Sequence, residues 1–161
     1  METNKTDAKE KEVWMSHLCD APREVVFKAW TDPEQLRHWY APDGCTIDIL
    51  WMDVRPGGSF QTCIHNPVYG DCWCKGEYLE VLAPERLVFS IYITDPQGNR
   101  LADSGKDDKW PGIIITTVVF KTLGDKCSFT LHQTVAEELA KQTGAYQSWL
   151  QMFANLDKTI A

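Results

Sequence analysis

The stretch Ala21–Gly44, APREVVFKAWTDPEQLRHWYAPDG, decides how the rest of the chain is read. Pro22 suits the first position of a helix, where its missing N–H costs nothing and its fixed φ is already helical. Val26, Ala29 and Trp30 follow at helical spacing. Asp32 then restarts the signal, because its carboxylate suits the N-cap of a second helix. Pro33 falls at the first helical position and Gln35 at the third, as in a capping box. Two short helices back to back are expected, closed by Pro42-Asp43-Gly44.

Upstream, EVWMSHLCD (Glu12–Asp20) alternates as a strand, with Trp14, Ser16 and Leu18 on one face. Downstream the pattern changes. CTIDILWMDV, SFQTCIH, DCWCKGEYLEV, RLVFSIYIT, IIITTVVFKT and KCSFTLHQTV are all rich in β-branched and aromatic residues. RPGG, NPVYG, APE, DPQGN and LGD separate them with turn chemistry. From Glu137 onward the period becomes helical again, and Tyr146, Trp149, Phe153, Leu156 and Ile160 form one apolar stripe. The expected fold is α+β: a seven-stranded antiparallel curved sheet around one long C-terminal helix, with two short helices after strand 1. Residues 1–11 read as a flexible tail and 12–161 as a single domain.

The chain has 161 residues, 43% of them hydrophobic, with a net charge of −7. That length supports one continuous core. The negative charge and the lack of a basic cluster argue against a nucleic-acid partner. No apolar run approaches the roughly 18 residues of a membrane span. The polar N-terminus does not read as a signal peptide, so a cytoplasmic location with reduced cysteines is expected. A homodimer is compatible with the sequence, which leaves the oligomeric state open.

Pro22, Val26, Phe27, Trp30, Thr31, Pro33, Trp39, Arg55, Pro56, Gly57, Gly58, Gly76, Pro84, Glu85 and Leu87 stand in an order that resembles the activator of heat shock protein 90 ATPase homologue-like family. That family lies in the START-like, polyketide cyclase-like helix-grip superfamily, and the resemblance spans roughly residues 12 to 160. It implies a cavity between the curved sheet and the C-terminal helix. Tyr40 departs from a tryptophan pair frequent in the family. The superfamily houses carriers, cyclases and co-chaperone domains, so the fold alone does not choose among them.

The surplus of tryptophan on converging elements favours binding of a small apolar or amphipathic molecule. Trp39, Trp51, Trp73, Glu77, Tyr92, Trp110, Trp149 and Phe153 are the expected wall. Alternation carries Trp73, Lys75 and Glu77 onto the inward face, making Glu77 a polar anchor. A cyclase- or dehydratase-type enzyme in the same cavity would move protons with Glu77 or His132. A chaperone-associated interaction module is the third reading. The aperiodic segment 95–112 is a candidate lid. No cofactor is expected.

The hairpin CIHNPVYGDCWC (Cys63–Cys74) holds three thiols and a histidine. Pairing His65 with Cys72 would pair Cys63 with Cys74 and place all four on the outer face. A flat square of that kind fits a tetrahedral ion poorly, so no metal is expected there.

Overall fold

The computed structural model describes residues 11–101 and 110–161. The expected tail, apart from Lys11, and the middle of the candidate lid lie outside the described residues. The elements follow in the order β1 (Glu12–Cys19), α1 (Arg23–Thr31), α2 (Pro33–Leu36), β2 (Thr46–Met52), β3 (Ser59–Asn66), β4 (Gly70–Leu82) and β5 (Arg86–Thr94). Then come β6 (Ile114–Leu123), β7 (Lys126–Ala136), α3 (Glu137–Thr143) and α4 (Ala145–Ile160). The seven strands form one curved antiparallel sheet in the order β1-β7-β6-β5-β4-β3-β2.

At α2 the start signal acts as read, since the Asp32 carboxylate accepts the Glu34 N–H at 3.1 Å and Pro33 opens the helix. At α1 Pro22 is the extended N-cap rather than the first helical residue, and the helix opens at Arg23. Val26, Phe27, Ala29 and Trp30 turn one face of α1 into the core. In β1 the Trp14–Ser16–Leu18 face is the outer one. Val13, Met15 and Cys19 point inward and are buried.

The C-terminal segment differs from one continuous helix. Gly144 adopts φ 87°, a left-handed conformation that glycine reaches without a Cβ clash, and it separates α3 from α4. The apolar stripe survives this break. Trp149, Phe153 and Leu156 are buried, Met152 joins them, and Tyr146 and Ile160 pack at the margin. Phe153 meets Phe129 of β7 edge to face at 5.0 Å, and Trp30 of α1 stacks on Trp149 at 6.1 Å. Helix α4 and helix α1 therefore share the concave face, one beside the other.

Candidate functional site

The arrangement of the site follows from the register of β3 on β4. Asn66 accepts backbone N–H groups from Val68 and Tyr69, which fixes a three-residue loop at 67–69. His65 consequently pairs with Asp71 rather than Cys72, and Cys63 pairs with Trp73 rather than Cys74. A slip of one residue reverses every side chain of the strand. Cys72, Cys74, Gly76 and Tyr78 therefore share the inner face with Phe60, Thr62 and Ile64. Trp73, Lys75 and Glu77 stand outside with Gln61, Cys63 and His65, contrary to the alternation expected for β4.

A second irregularity moves Trp51. The β2–β3 register shifts between Ile49 and Trp51, leaving Leu50 as an extra residue. Trp51 then lies outside, 42% exposed, with its indole N–H on Ser59 Oγ at 3.0 Å and Lys75 Nζ 5.7 Å from its ring. Tyr92 is opposite Lys75, and the Arg100 guanidinium lies 5.9 Å from its ring. Glu77 is exposed between Ser59 and Ser90. His132 also faces outward, stacked on Trp14 at 4.4 Å with Nε2 on Glu12 at 2.7 Å. Trp110 packs partly buried against the core.

Trp39, Trp149 and Phe153 are inside and close-packed. The Trp39 indole donates to the Ala29 carbonyl at 2.9 Å. The Trp149 indole donates to Gln133 Oε1 at 3.0 Å, and Gln133 Nε2 donates to Thr116 Oγ1 at 3.0 Å. These buried polar groups are satisfied within the fold.

Beside this packed core lies a cavity of about 30 Å³. Trp30, Leu36 and Tyr40 line its helical side, and Met52, Phe60, Thr62, Tyr78, Leu87 and Phe89 its sheet side. It sits between the α1–α2 segment and strands β2–β5 rather than under α4. Its volume accommodates about two water-sized groups, since one needs roughly 10–15 Å³. The Trp30 indole N–H is buried and has no hydrogen-bond partner, although the residue is only 2% exposed. Sequence reasoning missed Trp30 and Tyr78, because both read as ordinary core positions.

Burial pushes the Tyr40 and Tyr78 phenols well above their ordinary value of 10.0. Both therefore remain neutral hydroxyls at physiological pH. A folded-state pKa above the unfolded one means that this stability is fully present below about pH 10 and is lost as pH rises further. In a spectrophotometric alkaline titration, two of the five tyrosines should ionise only as the chain unfolds. Tyr40→Phe and Tyr78→Phe should each remove one such late phenol. Five phenols titrating together in folded protein would contradict this placement.

Comparison with known proteins agrees with this architecture. Protein CV1439 from Chromobacterium violaceum shares 23% identity over 93% of this chain and 96% of its own, with a TM-score of 0.77. A protein from Staphylococcus epidermidis shares 23% identity over 96% and 92% of the two chains, with a TM-score of 0.78. CalU16 from Micromonospora echinospora shares 22% over 92% and 74%, with a TM-score of 0.60. These likenesses establish that the three proteins share this fold. No curated protein matches the chain. Among the described residues no helix is long and apolar enough to cross a membrane. The sequence profile described as Activator of Hsp90 ATPase homolog 1-like protein matches residues 20–161, and the chain belongs to that family.

Proposed function

We propose that the chain, as a single domain over 12–161, is a cytoplasmic binding protein for a small, largely apolar molecule carrying one hydrogen-bond acceptor. The observation that carries this reading is the buried, unpartnered indole N–H of Trp30, a residue that lines an apolar cavity. A buried donor without a partner costs about 1–3 kcal/mol, and an acceptor brought by a ligand would recover much of that. The Tyr40, Thr62 and Tyr78 hydroxyls add polar points to an otherwise apolar lining. The Tyr40 and Tyr78 phenols, held neutral by burial, are poor general bases near neutral pH. With Glu77 and His132 on the outer face, binding is favoured over cyclase- or dehydratase-type chemistry.

The wall expected from the sequence is thereby redrawn. Trp39, Trp149 and Phe153 back the cavity as packed core, while Trp30, Tyr40, Phe60 and Tyr78 would touch the ligand. A molecule larger than the cavity would have to displace side chains of its lining, Leu36 of the single-turn α2 among them.

The test is a fluorescence and thermal-shift titration with carboxylic acids of graded chain length and with compact aromatic ketones. Saturable quenching should accompany a raised melting temperature, because a ligand bound only by the folded state stabilises it by mass action. Trp30→Phe should weaken binding by about 3–10-fold, the worth of one ordinary hydrogen bond, beyond the stability lost by trimming a ring packed on Trp39, Phe120, Phe129 and Trp149. A panel that gives no shift, or binding indifferent to Trp30→Phe, would overturn the reading.

A further inference from the structure

On the outer face, the corrected hairpin register gathers a set of groups different from the four-cornered square of the sequence. Cys63 and His65 are two apart on β3 and share a face, and Asp71 of β4 stands directly opposite His65. Asp48 of β2 stands opposite Cys63 on the other side. Both His65 ring nitrogens are engaged: Nε2 with Asp48 Oδ2 at 2.8 Å and Nδ1 with Asp71 Oδ1 at 2.8 Å. Cys63 Sγ lies 3.9 Å from the same Nδ1. One ligand atom each from Cys63, His65 and Asp71 falls within 4.8 Å of the others.

We propose that Cys63 Sγ, His65 Nδ1 and Asp71 Oδ1 form a binding site for a zinc-type divalent ion, with Asp48 as the carboxylate that orients the histidine. Thiolate, imidazole and carboxylate are the donor types that zinc takes, and three protein ligands leave a fourth position for water. The fit is close. Tetrahedral zinc separates sulfur and nitrogen ligands by about 3.6 Å and nitrogen and oxygen ligands by about 3.3 Å. The sulfur–nitrogen pair is already near that spacing, while the nitrogen–oxygen pair must part by about half an ångström.

The second carboxylate is the independent mark of a ligating histidine. Metal-bound histidines almost always give their other ring N–H to a carboxylate, which fixes the ring and its tautomer. Asp48 stands at Nε2 in that role, leaving Nδ1 as the ligating atom. The flat-square objection does not apply here, because the three donors belong to a compact triangle of adjacent register positions. Cys63 forms its buried base, and His65 and Asp71 form its solvent side. On binding, the Cys63 thiol proton and the proton held between Nδ1 and Asp71 pass to solvent while sulfur and nitrogen take the ion, so affinity rises with pH. The ion would pin the β3–β4 hairpin and, through Asp48, the edge strand β2.

The test uses the full chain stripped by chelator and reduced, titrated with Zn²⁺ and with Co²⁺ as a spectroscopic probe. Expected are one ion per chain, a thiolate-to-cobalt charge-transfer band, and a raised melting temperature. Asp48→Asn should weaken Zn²⁺ binding about 10–100-fold while keeping the band. Cys63→Ser should abolish the band, and Asp71→Asn, on an exposed residue whose change spares the fold, should lower affinity by at least as much as Asp48→Asn. Cys74→Ser, on the opposite face, should change nothing. Absence of stoichiometric binding overturns the proposal. So does binding that persists unchanged in Asp71→Asn, which would place the ion elsewhere, for instance at His17, Cys19 and Asp157, whose ligand atoms also lie within 4.8 Å of one another.

Discussion

Phe153→Ala lowers the free energy of unfolding by about 3–5 kcal/mol, the range for removing a buried phenylalanine ring. In a chain of this size that moves the thermal midpoint down by about 6–20 °C. Phe153 is 2% exposed and touches three rings, with centroids at 5.0 Å for Phe129, 5.2 Å for His17 and 5.7 Å for Trp149. These come from β7, β1 and α4 itself, so no single neighbour can swing in and fill the vacated volume. The described cavity lies on the far side of Trp30 and does not soften the site. Denaturant unfolding gives the value directly. A cost below about 1 kcal/mol, the level of surface positions, would mean that α4 is not seated on the concave face.

Gly76→Ala damages stability and, on the proposed function, ligand binding. A methyl there would collide with the Ser90 carbonyl oxygen and with the Phe60 ring. The carbonyl belongs to the backbone of β5 and cannot retreat without loosening the β4–β5 ladder. Phe60 can yield, but it lines the cavity and would move at the expense of that space. The expected loss is about 3 kcal/mol, the upper part of the overpacking range, together with loss of apolar ligand binding. Phe60→Leu in the same chain should restore part of the stability, and a double-mutant cycle measures that coupling. Additive effects would show that Phe60 is not what the methyl strikes.

The fold was legible because its signals are local. Asp32-Pro33 marks a helix start, the Gly- and Pro-rich breaks mark turns, and the stripe from Tyr146 to Ile160 marks a helix, each from a few neighbouring residues. Gly144 is the exception. A glycine within a helical period reads as a tolerated defect until its left-handed conformation is seen.

The candidate site was less legible because it depends on parity. Whether Trp73 and Glu77 face in or out turns on one residue in the 67–69 loop, and whether Trp51 does turns on the bulge at Leu50. Alternation along a strand says which residues share a face, not which face it is. The same parity hid the hairpin cluster, whose Asp48 and Asp71 partners appear only when β2, β3 and β4 are aligned. Trp30 escaped notice for another reason: a sequence shows a buried indole but not whether its N–H has a partner.

The strand order has a consequence for synthesis on the ribosome. Strands β2 to β7 each pair with a neighbour in sequence, so hairpins can form as the chain emerges. Strand β1 has β7 as its sheet partner, and β7 begins at Lys126. At about 5–20 residues per second, the roughly 100 residues between them take about 5–20 seconds to make. Throughout that interval Val13 and Met15 have no sheet to cover them, and the Cys19 thiol, fully buried in the finished fold, stays open to reagents. Nascent chains arrested before β7 should label at Cys19, and chains released from the ribosome should not. Equal protection at both lengths would mean that β1 finds a temporary partner. Otherwise the first strand to be made is the last to be shielded, and mutations that slow elongation downstream of it prolong its exposure without changing the native state.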